Sequence, residues 1–78
     1  MTEQVPNCCL DLRGTPCPLN WVKTKLRLEK LEPGDIVEVI VDEGNPARNV
    51  PRSAQIEGHK IVHTVSWEGA VRICIERG

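Results

Sequence analysis

Pro33-Gly34-Asp35-Ile36-Val37-Glu38-Val39-Ile40-Val41-Asp42-Glu43-Gly44-Asn45-Pro46 places a helix stop, a strand and a helix start in one short stretch. Val37, Val39 and Val41 alternate with Glu38 and Asp42, the period of a strand with one buried face. Pro33-Gly34 ends what precedes it. Gly44-Asn45-Pro46 restarts a helix, with Asn45 expected as N-cap and Pro46 at the first helical position, where no amide hydrogen is required. A strand framed by helices is the nucleus of an α/β fold.

Toward the N-terminus, a helix is expected from Pro18 to about Leu31. Trp21, Thr24, Leu28 and Leu31 form its core stripe, while Leu19, Val22 and Leu26 form a second stripe that is partly exposed. Before it, Cys8–Arg13 alternates, with Leu10 and Leu12 opposite Asp11 and Arg13, and Gly14 ends a short strand. Residues 1–7 read as a disordered tail ahead of a single domain, 8–78.

Toward the C-terminus, Ala47, Val50 and Ala54 face inward on the second helix, Pro51 should distort or tighten it, and Gly58 closes it as a left-handed cap. Lys60–Trp67 and Ala70–Arg77 form a hairpin around Glu68-Gly69. Val71, Ile73 and Ile75 share a face in the last strand, whereas the parity of the third stays open. The order is βαβαββ. Helix-joined strands run parallel, so the expected fold is an α/β (α+β) two-layer sandwich, a four-stranded mixed sheet with two helices on one face.

Composition excludes several functions. The chain has 78 residues, a formal net charge of −1, and Trp21 and Trp67 as its only aromatics. That suits neither a base-stacking platform nor an electrostatic binder of nucleic acid or anionic membrane. No apolar run approaches a membrane span, and Met1-Thr2-Glu3-Gln4 does not open a signal peptide. A cytoplasmic, reducing location follows, in which cysteines are thiols. Of the cysteines, Cys8 and Cys9 are adjacent while Cys17 and Cys74 stand alone. Without a C-x-x-C pair, Cys8, Cys17, His59 and His63 do not form a zinc motif, and no metal site is assigned.

Pro16-Cys17-Pro18-Leu19 is the informative tetrapeptide. A residue before proline avoids the helical region, so Cys17 is expected as the N-cap of the first helix, its sulfur at the positive end of the macrodipole. There the thiolate is favoured. Pro16 and Pro18 restrict the backbone that presents the thiol, and Arg13 and Lys23 add positive charge if they approach. At the third helical position, Asn20 offers its main-chain N–H, and its side-chain amide as well, to that sulfur. The bland alternative is a buried, inert cysteine that happens to begin a helix.

Leu10-Asp11-Leu12-Arg13-Gly14, Cys17-Pro18 opening a helix, Pro33-Gly34-Asp35 before a Val-rich strand, Asn49-Val50-Pro51-Arg52 and Gly58-His59 stand in an order and spacing that resembles the TusA/SirA-like sulfur-carrier family, from about Leu10 to Gly78. The resemblance implies a βαβαββ sandwich whose cysteine, here Cys17, accepts persulfide sulfur from a cysteine desulfurase or another donor and passes it to an acceptor protein. Such relays serve tRNA thiolation, cofactor maturation or sulfur oxidation. It implies a sulfurtransferase with little turnover alone, and no cofactor beyond the transient persulfide. Arg13, Leu19, Lys23 and Arg52 are expected to meet partners. The family's C-P-x-P reads Cys17-Pro18-Leu19-Asn20 here, so Asn20 replaces the second proline. Two other functions compete: a non-catalytic RNA- or protein-binding module, and a thiol redox sensor.

Overall fold

A computed structural model of the chain describes residues 8–16 and 19–78. Its elements are β1 (Cys8–Asp11), α1 (Leu19–Glu29), β2 (Ile36–Asp42), α2 (Asn45–Ile56), β3 (Lys60–Trp67) and β4 (Ala70–Glu76). The sheet order is β1-β2-β4-β3, with β1 parallel to β2 and the other pairs antiparallel. The expected mixed sheet of four strands is therefore present, and the last strand is inserted between β2 and β3.

One layer of the core comes from the inward rows of β2 and β4. Val37, Val39, Val41, Ile73 and Ile75 are fully buried, and Leu28, Val50 and Ala54 of the helices cover them. Burying each large aliphatic side chain stabilises the fold by roughly 1.5–3 kcal/mol, so this layer dominates the packing energy. As the two stripes of α1 predicted, Thr24 and Leu28 are buried, Trp21 and Leu31 pack at the edge of the core, and Leu19, Val22 and Leu26 are exposed. β3 settles the parity left open: Ile61 pairs with Ile75 on the inward side, a bulge follows between Ile61 and His63, and Val65 and Trp67 point to the open face.

Several boundaries differ from the sequence reading. β1 ends at Asp11, although Leu12 N–H still donates to the Ile40 carbonyl at 2.7 Å. α1 stops at Glu29, because Lys30 and Leu31 tighten onto the carbonyls of Arg27 and Leu28. The N-cap of α2 is Gly44, not Asn45. Gly44 takes φ 100°, a conformation open to glycine, and its carbonyl accepts the Arg48 N–H, which draws Asn45 into the helix. α2 runs through Pro51 without a break. It closes as a Schellman motif: Gly58 (φ 94°) donates to the Gln55 carbonyl and His59 to that of Ala54. No helix among the described residues is long and apolar enough to cross a membrane.

Candidate functional site

The segment ahead of Cys17 leaves β1 through a tight turn. Thr15 N–H donates to the Leu12 carbonyl at 3.0 Å, and Gly14, third in that turn, has φ 77°. This is a type II turn, which needs positive φ at that position. The Gly14 N–H donates to the Asp42 carboxylate at the end of β2, at 2.7 Å. Beyond the turn, the Asn20 N–H donates to the Pro16 carbonyl at 3.3 Å, so helical hydrogen bonding reaches back to Pro16. The segment is thus fixed on one side by β2 and on the other by α1. Cys17 and Pro18, with the N-cap and first-turn positions expected of them, lie outside the described residues.

Asn20 departs from expectation in an instructive way. Its main-chain N–H, assigned to the thiol from the sequence, is engaged by Pro16. Its side chain is fully buried. Oδ1 accepts the Trp21 N–H at 2.7 Å, the Asn20 carbonyl accepts the Thr24 hydroxyl at 2.8 Å, and Nδ2 has no partner among the described residues. A buried amide donor left unmade costs about 1–3 kcal/mol. The burial could have been found from spacing, since Asn20, Thr24 and Leu28 recur every four residues.

Arg13 is one half of an ion pair. Its Nε and Nη2 reach the Asp11 carboxylate at 2.9 and 2.7 Å. The Arg13 side chain, and then its main-chain N–H, hold Asp11 down at about 2. Any pull of Arg13 on a nearby thiolate is therefore offset by Asp11. Leu19 and Lys23 lie on the outward side of α1, and Arg52 is exposed on α2. Lys23 lines a shallow groove of about 200 Å³ with Leu10, Leu12, Leu26, Arg27 and Lys30, along edge strand β1. Neither Arg13 nor Arg52 lines this groove, so the structure does not gather these expected partner-binding cations at one place.

The other thiols occupy different surroundings. Cys8 packs against the core. On the opposite face, Cys9 donates to Glu38 at 3.0 Å, and Glu38 also pairs with Arg72 at 3.0 Å. The Glu38 hydrogen bond, then burial, push the Cys9 thiol up; burial, then Glu38, push Cys74 up. Both are kept as thiols, which are poor nucleophiles. Sequence reasoning missed Asp42 as the anchor of the turn. It also missed an open-face cleft of about 360 Å³ lined by Ile40, Val65, Trp67 and Ala70 with Arg13 and Arg72. Ile40 and Val65, apolar on the polar face, were the available signal.

The family described as Sulfurtransferase TusA matches residues 9–77. This chain belongs to the TusA family. Relatives named "Putative sulfur carrier protein" include one from Archaeoglobus fulgidus, 45% identical over 56 residues, which are 72% of this chain and 64% of that protein. Another, from Methanocaldococcus jannaschii, is 35% identical over 87% of this chain and 91% of its own length. "Putative sulfur carrier protein YedF" of Escherichia coli K12 is 30% identical over 99% of this chain and 100% of the relative. The chain spans just under two thirds of the Archaeoglobus protein and nearly all of the other two. A crystal structure of a SirA-like protein from Desulfitobacterium hafniense superposes with TM-score 0.80 at 26% identity, covering 91% of this chain and 97% of the other. Both halves of the sequence resemblance, TusA and SirA, thus recur, and the matched residues include Cys17-Pro18.

Proposed function

We propose that this TusA-family chain is a persulfide carrier whose working nucleophile is Cys17. The Cys17 thiolate attacks the terminal sulfur of a persulfide on a donor such as a cysteine desulfurase. The donor's S–S bond breaks as the new one forms, the donor cysteine leaves as thiolate, and Cys17 carries the outer sulfur with its proton. An acceptor protein's nucleophile then attacks that outer sulfur and releases Cys17 as thiolate. Sulfur is passed with no net redox change, so no bound cofactor is required. The domain, 8–78 behind an N-terminal tail, is a sulfurtransferase only in company with donor and acceptor. Its workplace is the cytoplasm, and neither nucleic acid nor membrane is a direct partner.

The observation that carries this reading is the contrast between thiols. Cys9 and Cys74 are held protonated around Glu38 on the open face, whereas Cys17 follows the turn pinned by Asp42, in the motif the family match covers. Incubation with a desulfurase and cysteine should add about 32 Da, one sulfur, to the wild type and to a variant with Ser at positions 8, 9 and 74. Cys17→Ser should gain nothing. Loading that survives Cys17→Ser and vanishes in Cys9→Ser would sink the assignment. A second reading, a binding module without sulfur chemistry, is favoured by one observation, the open-face cleft with Trp67 62% exposed. It requires that no sulfur be gained at all.

A further inference from the structure

The geometry points to a small-molecule site on the open face of the sheet: the cleft over Ala70, between Trp67 and the arginines Arg13 and Arg72, takes a flat aromatic carboxylate. This binding goes beyond the carrier reading and does not depend on it.

The register of the strands explains why a hollow lies there. Across the open face, Ile40, Arg72 and Val65 stand in one row, and Asp42, Ala70 and Trp67 in the next. Ala70 puts only a methyl between two larger neighbours, so the second row dips at its centre. Ile40 is apolar where Glu38 and Asp42, two residues to either side of it on the same face of β2, are charged. The hollow has a volume of about 360 Å³, at the lower end of small-molecule sites, roughly 300–1,000 Å³. Its apolar wall is open to solvent, with Trp67 62% and Val65 38% exposed.

The lining selects the ligand. Its two charged side chains are both arginines, and no carboxylate lines the cleft. Arg72 reaches Glu38 through Nε, and Arg13 reaches Asp11 through Nε and Nη2. Each guanidinium therefore keeps at least one terminal nitrogen without a hydrogen-bond partner among the described residues. Guanidinium forks bind carboxylates, and an indole face stacks on flat rings. An aromatic carboxylate satisfies both kinds of group at once. A cation is repelled by the arginines, and a neutral ring leaves their donors unused. Asp11 and Glu38 already neutralise part of the arginine charge, which keeps the affinity modest. The volume encloses a two-ring molecule and is too small for a run of peptide.

The test titrates the full chain with naphthalene carboxylate, the matching neutral carboxamide and the matching cationic methylamine, followed by NMR shifts of backbone amides and indole N–H groups. The carboxylate should bind saturably with Kd below about 1 mM. It should shift Ile40, Val65, Ala70, Arg72 and the Trp67 indole, and leave the Trp21 indole unmoved. The carboxamide should bind about tenfold more weakly, and the methylamine not at all. Arg72→Ala and Trp67→Ala should each weaken the carboxylate about tenfold. Ala70→Leu, which fills the hollow from the solvent side, should abolish its binding. Dispersed spectra show that each variant is folded, and the three probes on wild type decide the matter even where a substitution unfolds the chain. Equal binding of carboxylate and carboxamide overturns the proposal, as does wild-type affinity in both Trp67→Ala and Ala70→Leu. Tighter binding of a blocked Gly-Phe-Asp-Gly peptide than of the carboxylate would assign the cleft to a protein segment. The same shifts on raising protein concentration alone would assign it to a second copy. Either result overturns the small-molecule site.

Discussion

Gly14 N–H and the Asp42 carboxylate meet at 2.7 Å, and this single contact fastens the turn before Cys17 to the central sheet. Hydrogen bonds to charged groups contribute roughly 1.5–3 kcal/mol, and the exposure of this one puts it at the lower end. Asp42→Ala should therefore lower stability by about 1.5 kcal/mol and slow the loading of Cys17 several-fold, while Asp42→Asn, which keeps an acceptor oxygen, should recover most of the loss. Urea unfolding together with timed mass measurements checks both effects. Loading rates identical across wild type, Ala and Asn would show that the turn needs no anchor. Asp11 makes a different prediction. Its carboxyl titrates at about 2, held there first by the Arg13 side chain, against about 3.9 in an unfolded chain. A depressed carboxyl stabilises the fold above the unfolded value, and that contribution is lost as pH falls from about 4 toward 2. The residue is exposed, so solvent screening keeps the effect small. A proton titration of the Asp11 side chain by NMR should place its midpoint well below 3.9, and Arg13→Ala should restore it to the ordinary range.

The elements differ in how plainly the sequence declares them, and the reason is what each one buries. β2 and β4 lie in the middle of the sheet and bury one full row each, so Val37/Val39/Val41 and Val71/Ile73/Ile75 write the two-residue period directly. β3 is an edge strand, exposed along most of its length. Only Ile61 packs against the core, a bulge shifts the register after it, and Thr64 and Ser66 on the inward side are exposed. Its parity had no hydrophobic signal to carry. At the site, the loop and helix were legible through Gly14, Pro16 and Pro18, whereas the burial of Asn20 and the reach of Asp42 depend on tertiary contacts that no local pattern records. The hairpin between β3 and β4 offers an element-level test. Its two-residue turn holds Glu68 at φ 47° and Gly69 at φ 80°, both in the left-handed region, which is the type I′ pattern that prefers Asn-Gly. Glu68 is the one described non-glycine residue with positive φ. Glu68→Asn should raise stability by about 0.5–1 kcal/mol without altering sulfur loading. A urea midpoint that stays put or falls would mean that the turn is paid for elsewhere in the hairpin.

At the scale of the whole molecule, the two layers separate surfaces of different character. On the open face of the sheet, Arg13 pairs with Asp11 and Arg72 with Glu38. α1 instead carries Lys23, Lys25 and Arg27, with Lys30 just beyond its end, against Glu29 alone, although the chain as a whole is at −1. Leu19, Val22 and Leu26, the last 55% exposed, run along the same helix, whose sequence follows directly from Cys17-Pro18. On the function proposed above, a donor or acceptor reaching Cys17 would meet a helix both apolar and basic, which an acidic partner surface would complement. Exposed charges of this kind act mainly on the rate of encounter, and salt screens them over about 8 Å at physiological ionic strength. Lys23→Glu and Arg52→Glu should each slow sulfur transfer from a protein donor several-fold at low salt, with the difference shrinking as salt is added. Stability should stay within about 0.5 kcal/mol of wild type, as for exposed substitutions generally. Arg72→Ala, on the opposite face, serves as the comparison and should leave transfer unchanged. Uptake from a small persulfide should be equal in all of these variants, because no protein surface has to be recognised. If Arg72→Ala slows protein-to-protein transfer while Lys23→Glu does not, partners approach over the open face and its cleft, and the basic side of α1 is only solvated.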